Sequence, residues 1–120
     1  MPGKMCVSLT CAKDNTDKAT VAFVVANAAV ASDKDTVVFL STEGVRLAVQ
    51  AYADEIHEEG FASLKELMTN FVEAGGRIYV CSPCFKKRNR DEASIVVCAT
   101  IVGGAKLVEF LGEGSPCVSY

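Results

Sequence analysis

The chain has 120 residues, half of them apolar, and carries 12 basic against 15 acidic side chains. This length supports one ordinary hydrophobic core, so we expect a single domain over residues 1–120, and the net charge of −3 gives no reason to expect nucleic acid or an anionic membrane as a partner. The longest nearly apolar stretch, Val21 to Ala31, is too short for a spanning helix, and the N-terminus lacks the apolar core of a secretory signal, which together predict a soluble, cytoplasmic protein.

The first half of the chain predicts strand, helix and strand. Met5 to Thr10 is typical of a short buried strand, and a helix is expected from about Thr16 to Ser32. Apolar residues cover most of that helix's circumference, so we expect it to be buried on more than one side, one of which can be a subunit contact. Thr36 to Leu40 is a continuous apolar, β-branched run, which indicates a central parallel strand.

The second half continues the alternation of helices and strands. Ser63 and Glu66 form a capping box before a helix with one apolar face, which Gly75 and Gly76 end. The alternating order predicts a parallel sheet with helices on both faces. The segment from Glu43 to Ala62 is expected to be partly helical and partly loop. The other predicted elements are a third strand at Arg77–Val80, a fourth at Ser94–Ala99, a helix opened by Gly103-Gly104, and a fifth strand at Pro116–Tyr120.

The six cysteines are expected to be reduced thiols, because a core this rich in valine, leucine and alanine needs no disulfides. Cys81 stands where the third strand ends and a short helix begins, and functional residues of open parallel sheets collect at that edge. Cys6, Cys11, Cys98 and Cys117 are interpreted as core or incidental residues, although Cys11 follows strand one and can reach the same edge.

Cys81 and Cys84 form a CxxC segment followed by basic residues, which are Lys86, Lys87, Arg88 and Arg90. Ser82 is suited to cap the short helix and Pro83 to its first turn. The helix N-terminus and the basic side chains predict a lowered pKa for Cys81, and a thiolate is the nucleophile of sulfur and disulfide chemistry. The same basic residues are expected either to stabilise this anion or to bind a partner protein. The alternatives are a buried strand-end cysteine at position 81 and a packing role for Cys84.

The sequence predicts neither a metal site nor a cofactor. A zinc site needs about four ligands, and a single CxxC without a second pair of ligands does not supply them. His57 stands between two glutamates and is interpreted as a solvated surface residue, unless it reaches Cys81 as a general base. Gly103-Gly104 is not a phosphate-binding fingerprint.

The order of these motifs resembles the DsrE/DsrF/TusD-like family of small sulfur-relay proteins. The resemblance spans almost the whole chain, and the family's cysteine-then-arginine pattern falls on Cys81 and Arg88. The sequence departs from the TusD pattern at Cys84 and at Asn89, where a glycine usually follows the arginine. The other segments that carry it are Asp17-Lys18-Ala19, Val37 to Leu40 with Glu43-Gly44-Val45, Gly75-Gly76, and Val102 to Ala105 with Leu107 to Phe110.

The resemblance implies a three-layer α/β/α sandwich with a five-stranded, mostly parallel sheet, assembled as a homotrimer or hexamer. It also implies that Cys81 carries sulfur as a persulfide, received from a donor protein and passed to an acceptor protein. The first alternative is a thiol–disulfide redox protein, peroxiredoxin-like in one variant, in which Cys81 attacks and Cys84 resolves. The second is a non-catalytic oligomeric binding module with an incidental thiol.

Overall fold

The structure is a computed structural model, and it describes residues 3–88, 92–96 and 98–120. The strands are β1 (Lys4–Leu9), β2 (Asp35–Leu40), β3 (Arg77–Cys81), β4 (Ala99–Val102) and β5 (Cys117–Ser119). The helices are α1 (Thr16–Ala31), α2 (Leu64–Glu73), α3 (Ser82–Lys87) and α4 (Gly104–Gly112), with 3-10 turns at Lys13–Asn15, Thr42–Ala48, Tyr52–Glu55 and Glu92–Ser94.

The five strands form one parallel sheet in the order β4-β3-β2-β1-β5. The central position of β2 confirms the strand predicted from its continuous apolar run, since all its residues after Asp35 are buried. The predicted α/β sandwich is also confirmed, and the sheet is parallel throughout.

The chain order explains why the helices lie on both faces of the sheet. From β1 to β4, each strand lies next to the one before it, always on the same side. Right-handed crossovers therefore place the helices between these strands on one face of the sheet. The connection from β4 back to β5 runs in the opposite direction, so α4 lies on the other face. The main core lies under α1 and α2 and includes Phe23 and Phe71, whose rings meet edge to face at 5.9 Å between centroids. A second, smaller core lies under α4, where Phe110 is buried.

Local signals place the two long helices as predicted. Asn15 caps α1 by accepting a hydrogen bond from the Lys18 backbone N–H, and Ser63 caps α2 by accepting one from the Glu66 backbone N–H. The Glu43–Ala62 segment is, as expected, partly helical, because two 3-10 turns alternate there with loop. None of the described helices is both long and apolar enough to cross a bilayer.

The prediction of a fourth strand at Ser94–Ala99 is wrong in its boundaries. Ser94 ends a 3-10 turn, Ile95 makes an isolated antiparallel bridge to Val49, and β4 begins only at Ala99. Val97, within the predicted strand, lies outside the described residues. The apolar run is typical of a strand, but Ile95 packs against the main core from outside the five-stranded sheet.

A sharp turn after β2 brings the Thr42–Ala48 segment against the end of β1. Thr42 adopts a left-handed backbone with φ of 50°, and its Oγ1 donates a 2.8 Å hydrogen bond to the Thr10 carbonyl. Gly44 is required for space, since a methyl group there would overlap the Leu9 carbonyl oxygen. This turn places Glu43 at the carboxyl edge of the sheet, two residues beyond Ser41.

Candidate thiol site

Cys81 is the last residue of β3 and the N-cap of α3, at the carboxyl edge of the sheet. Its side chain is partly exposed and contacts both core clusters. The predicted short helix after Cys81 is confirmed. Ser82 is not its cap, however, but its first residue, and Pro83 occupies the first turn as expected.

Cys84 lies one turn into α3, and its thiol is close enough to Cys81 to influence the pKa of that residue. Burial raises the pKa of Cys81 above its ordinary value, and the Cys84 thiol acts in the same direction. The backbone N–H of Cys84 and the positive charge of Arg88 oppose these effects without overcoming them. Both residues are free thiols of intermediate exposure. The prediction of a lowered pKa for Cys81 is therefore wrong in direction.

The arginine that the sequence placed near the thiol is already paired with a carboxylate. Arg88 Nε donates a 2.6 Å hydrogen bond to Glu43 Oε2, and its Nη1 donates a 3.1 Å bond to the Cys84 carbonyl. Arg46 Nε donates to the other oxygen of Glu43 at 2.7 Å. This pairing offsets much of the positive charge that Arg88 would direct at the sulfur, which helps to explain why the pKa does not fall.

Lys86 and Lys87 do less than Arg88 to stabilise the Cys81 thiolate. Lys86 and Lys87 are exposed in the last turn of α3, where water and salt screen their charges. Arg90 lies outside the described residues. Of the four basic side chains proposed from the sequence, the structure brings Arg88 against the first turn of α3, through its bond to the Cys84 carbonyl.

Of the four remaining cysteines, two lie on strands and two lie just outside them. Cys6 and Cys117 are register partners on β1 and β5, and Cys98 is exposed just before β4. Cys11 follows β1 at the same edge as Cys81, with β2 between their strands. Its thiol lies 3.8 Å from the Thr10 hydroxyl oxygen, and its side chain packs on the main core.

His57 is exposed, and its Nε2 lies 2.7 Å from the Phe61 carbonyl oxygen within the same loop. This contact agrees with its interpretation as a solvated loop residue. Within the described parts of the chain, no three histidine, cysteine or carboxylate side chains lie close enough together to hold a metal ion.

Glu43 is the site residue that sequence reasoning missed. Its motif entered only as part of the family resemblance, and no role was assigned to the carboxylate. A signal was present nonetheless, since a carboxylate just beyond a central parallel strand lies at the edge where functional residues collect. Its pairing with Arg88, which is 45 positions away, depends on how α3 packs and leaves no local pattern.

The chain matches known proteins over nearly its full length. It aligns with the DsrE/DsrF-like family over residues 4–119. The crystal structure of the YchN protein from E. coli superposes with a TM-score of 0.73 at 12% identity, covering both chains completely. A protein of unknown function from Methanobacterium thermoautotrophicum, MTH1491, gives 0.74 at 11% identity, again with complete coverage.

Among curated proteins, the uncharacterized protein MJ0760 of Methanocaldococcus jannaschii is 25% identical over 99 residues. That alignment covers 82% of this chain and 36% of the relative, so the chain spans about a third of that protein's length. The two solved structures share the fold, and the family match extends from the first strand to the last. The chain belongs to the DsrE/DsrF-like family.

Proposed function

We propose that this protein is a sulfur carrier in which Cys81 accepts sulfane sulfur as a persulfide and passes it on. The observation that carries the proposal is the position of Cys81, a partly exposed free thiol at the carboxyl end of β3, where α3 begins. Membership of a family of sulfur-relay type supports the same chemistry. Cys84 lies one turn along α3 from Cys81, and Arg88, bonded to the Cys84 carbonyl, adds a positive charge near the thiol.

The transfer needs no external oxidant. The Cys81 thiolate attacks the terminal sulfur of a donor persulfide, so that a new sulfur–sulfur bond forms on Cys81 while the donor's bond breaks. The electron pair of the broken bond leaves with the donor thiolate. Transfer to the acceptor repeats this exchange, with the acceptor thiolate as the nucleophile and Cys81 as the leaving group.

The raised pKa of Cys81 has a direct consequence for the rate. Only the thiolate attacks, and burial keeps most of the Cys81 thiol protonated at neutral pH. Loading by a small-molecule donor should therefore accelerate with rising pH. We infer that docking of the donor protein promotes loss of the proton in the physiological reaction.

Intact mass after incubation with a small persulfide donor tests the proposal. An adduct of about 32 Da should form in the wild type and in Cys84→Ser, and should be lost in Cys81→Ser. Cys117→Ser is the matched control, because Cys117 is an exposed thiol on another strand. An adduct that survives in Cys81→Ser, or is lost only in Cys117→Ser, would refute the assignment.

The nearness of the Cys84 thiol, one turn along α3 from Cys81, favours one alternative, a thiol–disulfide exchange protein. Cys81 would attack a substrate disulfide, forming a mixed disulfide and releasing one thiol, and Cys84 would then displace the second thiol. The product is a Cys81–Cys84 disulfide with two reduced substrate thiols. In the same mass experiment this function gives a loss of two hydrogens that requires both cysteines.

We further propose that the chain works as a cytoplasmic homo-oligomer, a trimer or hexamer, between a donor and an acceptor protein. The non-catalytic binding module remains the alternative if Cys81 proves no more reactive toward persulfide donors than the other accessible thiols. The family membership supports assembly and sulfur relay together.

A further inference from the structure

The carboxylate of Glu43 lies between two arginines at the edge of the sheet that carries Cys81. Its Oε2 accepts from Arg88 Nε at 2.6 Å, and its Oε1 accepts from Arg46 Nε at 2.7 Å. The hydrogen bond from Arg88, followed by that from Arg46, holds the pKa of Glu43 below its ordinary value. Glu43 is therefore ionised at neutral pH and carries the only negative charge of this three-residue cluster.

The backbone beside Glu43 is held in an unusual conformation. The residue before it, Thr42, has a φ of 50°, which is costly for a β-branched side chain and persists where surrounding contacts impose it. Those contacts are the Thr42 hydroxyl on the Thr10 carbonyl and the close approach of Gly44 to Leu9. The carboxylate is thus anchored to the ends of β1 and β2.

Arg88 connects this carboxylate to the thiol site. Its side chain is only 15% exposed, and its Nη1 bond to the Cys84 carbonyl places the guanidinium along the first turn of α3. That turn begins at Cys81. The Arg88 charge lies close enough to favour the Cys81 thiolate, and any group that offsets this charge also acts on the sulfur.

We propose that Glu43 is a positioning residue that, acting through Arg88, restrains the reactivity of the Cys81 thiol. It keeps the guanidinium beside the first turn of α3 and offsets its charge, so that the sulfur stays protonated until a partner or substrate draws Arg88 away from the carboxylate. This role of Glu43 rests on the proposed function, because it regulates the same Cys81 thiol. It makes no assumption about which sulfur species Cys81 accepts.

The charges on the elements around Cys81 make the prediction specific. Glu43 and Arg46 stand on the Thr42–Ala48 segment, and Arg88 follows α3, whose exposed Lys86 and Lys87 are screened by solvent. Replacing Glu43 by glutamine keeps its shape and removes its charge. The cluster then gains one net positive charge, which favours the thiolate.

The test is the pH dependence of Cys81 alkylation by iodoacetamide, followed at the Cys81 peptide by mass spectrometry. In Glu43→Gln the titration midpoint should fall by about half a unit to one unit relative to wild type. In Arg88→Gln it should rise, and in the double variant it should return close to the wild-type value, because both charges are then absent. Circular dichroism confirms that each variant is folded.

Asp35→Asn is the matched control. Asp35 also bridges two cations, Lys4 and Arg77, but at the first residue of β2, about 17 Å along the strand from the carboxyl edge. Its replacement should leave the Cys81 midpoint unchanged. A midpoint that is unchanged or raised in Glu43→Gln would overturn the proposal, as would an equal fall in Asp35→Asn. Should Glu43→Gln fail to fold, an Arg88→Gln midpoint that does not rise would overturn it instead.

The titration needs no sulfur donor, so the two proposals can fail separately. If the wild type forms no persulfide but the variants show the expected midpoint shifts, the carrier proposal fails and the proposed role of Glu43 is supported. If the wild type forms the Cys81 persulfide but the variants' midpoints do not shift, the carrier proposal is supported and the proposed role of Glu43 fails.

Discussion

Cys6 of β1 lies directly opposite Cys117 of β5 in the sheet, and the first is fully buried whereas the second is exposed. Burial, reinforced by the neighbouring Cys117 thiol, raises the pKa of Cys6 to about 12. At pH 8 iodoacetamide should therefore label Cys117 and leave Cys6 unlabelled until the protein is unfolded, because only thiolates react appreciably. Peptide mapping before and after denaturation checks this. Equal labelling of the two thiols in the native protein would show that Cys6 is not buried in the cluster under α4.

Gly44 should be the glycine at which a methyl group is least tolerated at the thiol edge. Alanine there would overlap the Leu9 carbonyl oxygen, and backbone cannot rotate aside as a side chain can. We expect Gly44→Ala to lower the free energy of unfolding by about 1 to 3 kcal/mol, the usual range for overpacking, in urea denaturation. Gly104→Ala is the control, because Gly104 opens α4 with open space around it. If both variants unfold at the same urea concentration, the close approach is not rigid.

Stability should decline in acid through two bridging carboxylates at opposite ends of the sheet. Hydrogen bonds from Lys4 and then Arg77 lower the pKa of Asp35, and those from Arg88 and then Arg46 lower the pKa of Glu43. Each folded-state pKa lies below the unfolded value, so the stabilisation is present above about pH 4.5 and is lost as the pH falls through the folded-state pKa.

Melting temperatures between pH 7 and pH 2 measure this loss. Asp35→Asn and Glu43→Gln should each flatten the decline, since the neutral side chain has no proton to gain. Glu66→Gln is the control, because Glu66 is an exposed carboxylate in the first turn of α2, outside both bridges. A decline that keeps its wild-type steepness in both bridge variants would assign the acid sensitivity to other groups.

The parts of the fold that the sequence predicted are those with local or periodic signals. The capping box of Ser63 and Glu66 and the apolar run of β2 gave elements that the structure confirms, because short-range hydrogen bonds and burial on both faces fix them. The fourth strand was misplaced because β-branched residues also suit non-sheet packing, and Ile95 is used in that way. Only tertiary context separates the two uses.

The candidate site was predicted in its position but not in its electrostatics. The end of β3 at Cys81 followed from strand order and from the residues around it. The direction in which the Cys81 pKa shifts depends on burial and on whether Arg88 is already paired with a carboxylate. No residue close to position 81 in the sequence indicates either of these. Counting nearby basic residues overestimated the stabilisation of the thiolate.

Assembly should be visible in solution at micromolar concentration. Half of the chain is apolar, and α4 leaves Val108, with 68% of its surface exposed, on the face of the sheet that carries the smaller core. Ala28 and Ala31 of α1 are exposed as well, in a helix whose sequence predicted burial on more than one side. Light scattering should give a mass corresponding to three or six chains, and a species of only 12.7 kDa would contradict the proposed oligomer.

Phe110 should be the residue that attaches α4 to the sheet. Its ring is buried in the second core with Tyr79, and the Lys4 ammonium and Arg77 guanidinium lie 4.9 and 5.5 Å from its centroid. Phe110→Ala should lower the free energy of unfolding by about 3 to 5 kcal/mol, as for large aromatic truncations. Phe110→Leu should cost less, since it retains most of the apolar contact and loses the cation–π interactions.

Val108→Ala is the matched control on the same helix, and its effect should stay within about 0.5 kcal/mol because the side chain is mostly exposed. Loosening α4 has a second readout, since Cys6 belongs to the same buried cluster as Phe110. Phe110→Ala should therefore also expose Cys6 to iodoacetamide under native conditions, while Val108→Ala leaves it protected. If Phe110→Ala unfolds at the wild-type urea concentration and keeps Cys6 protected, other contacts hold α4 and the smaller core does not depend on this ring.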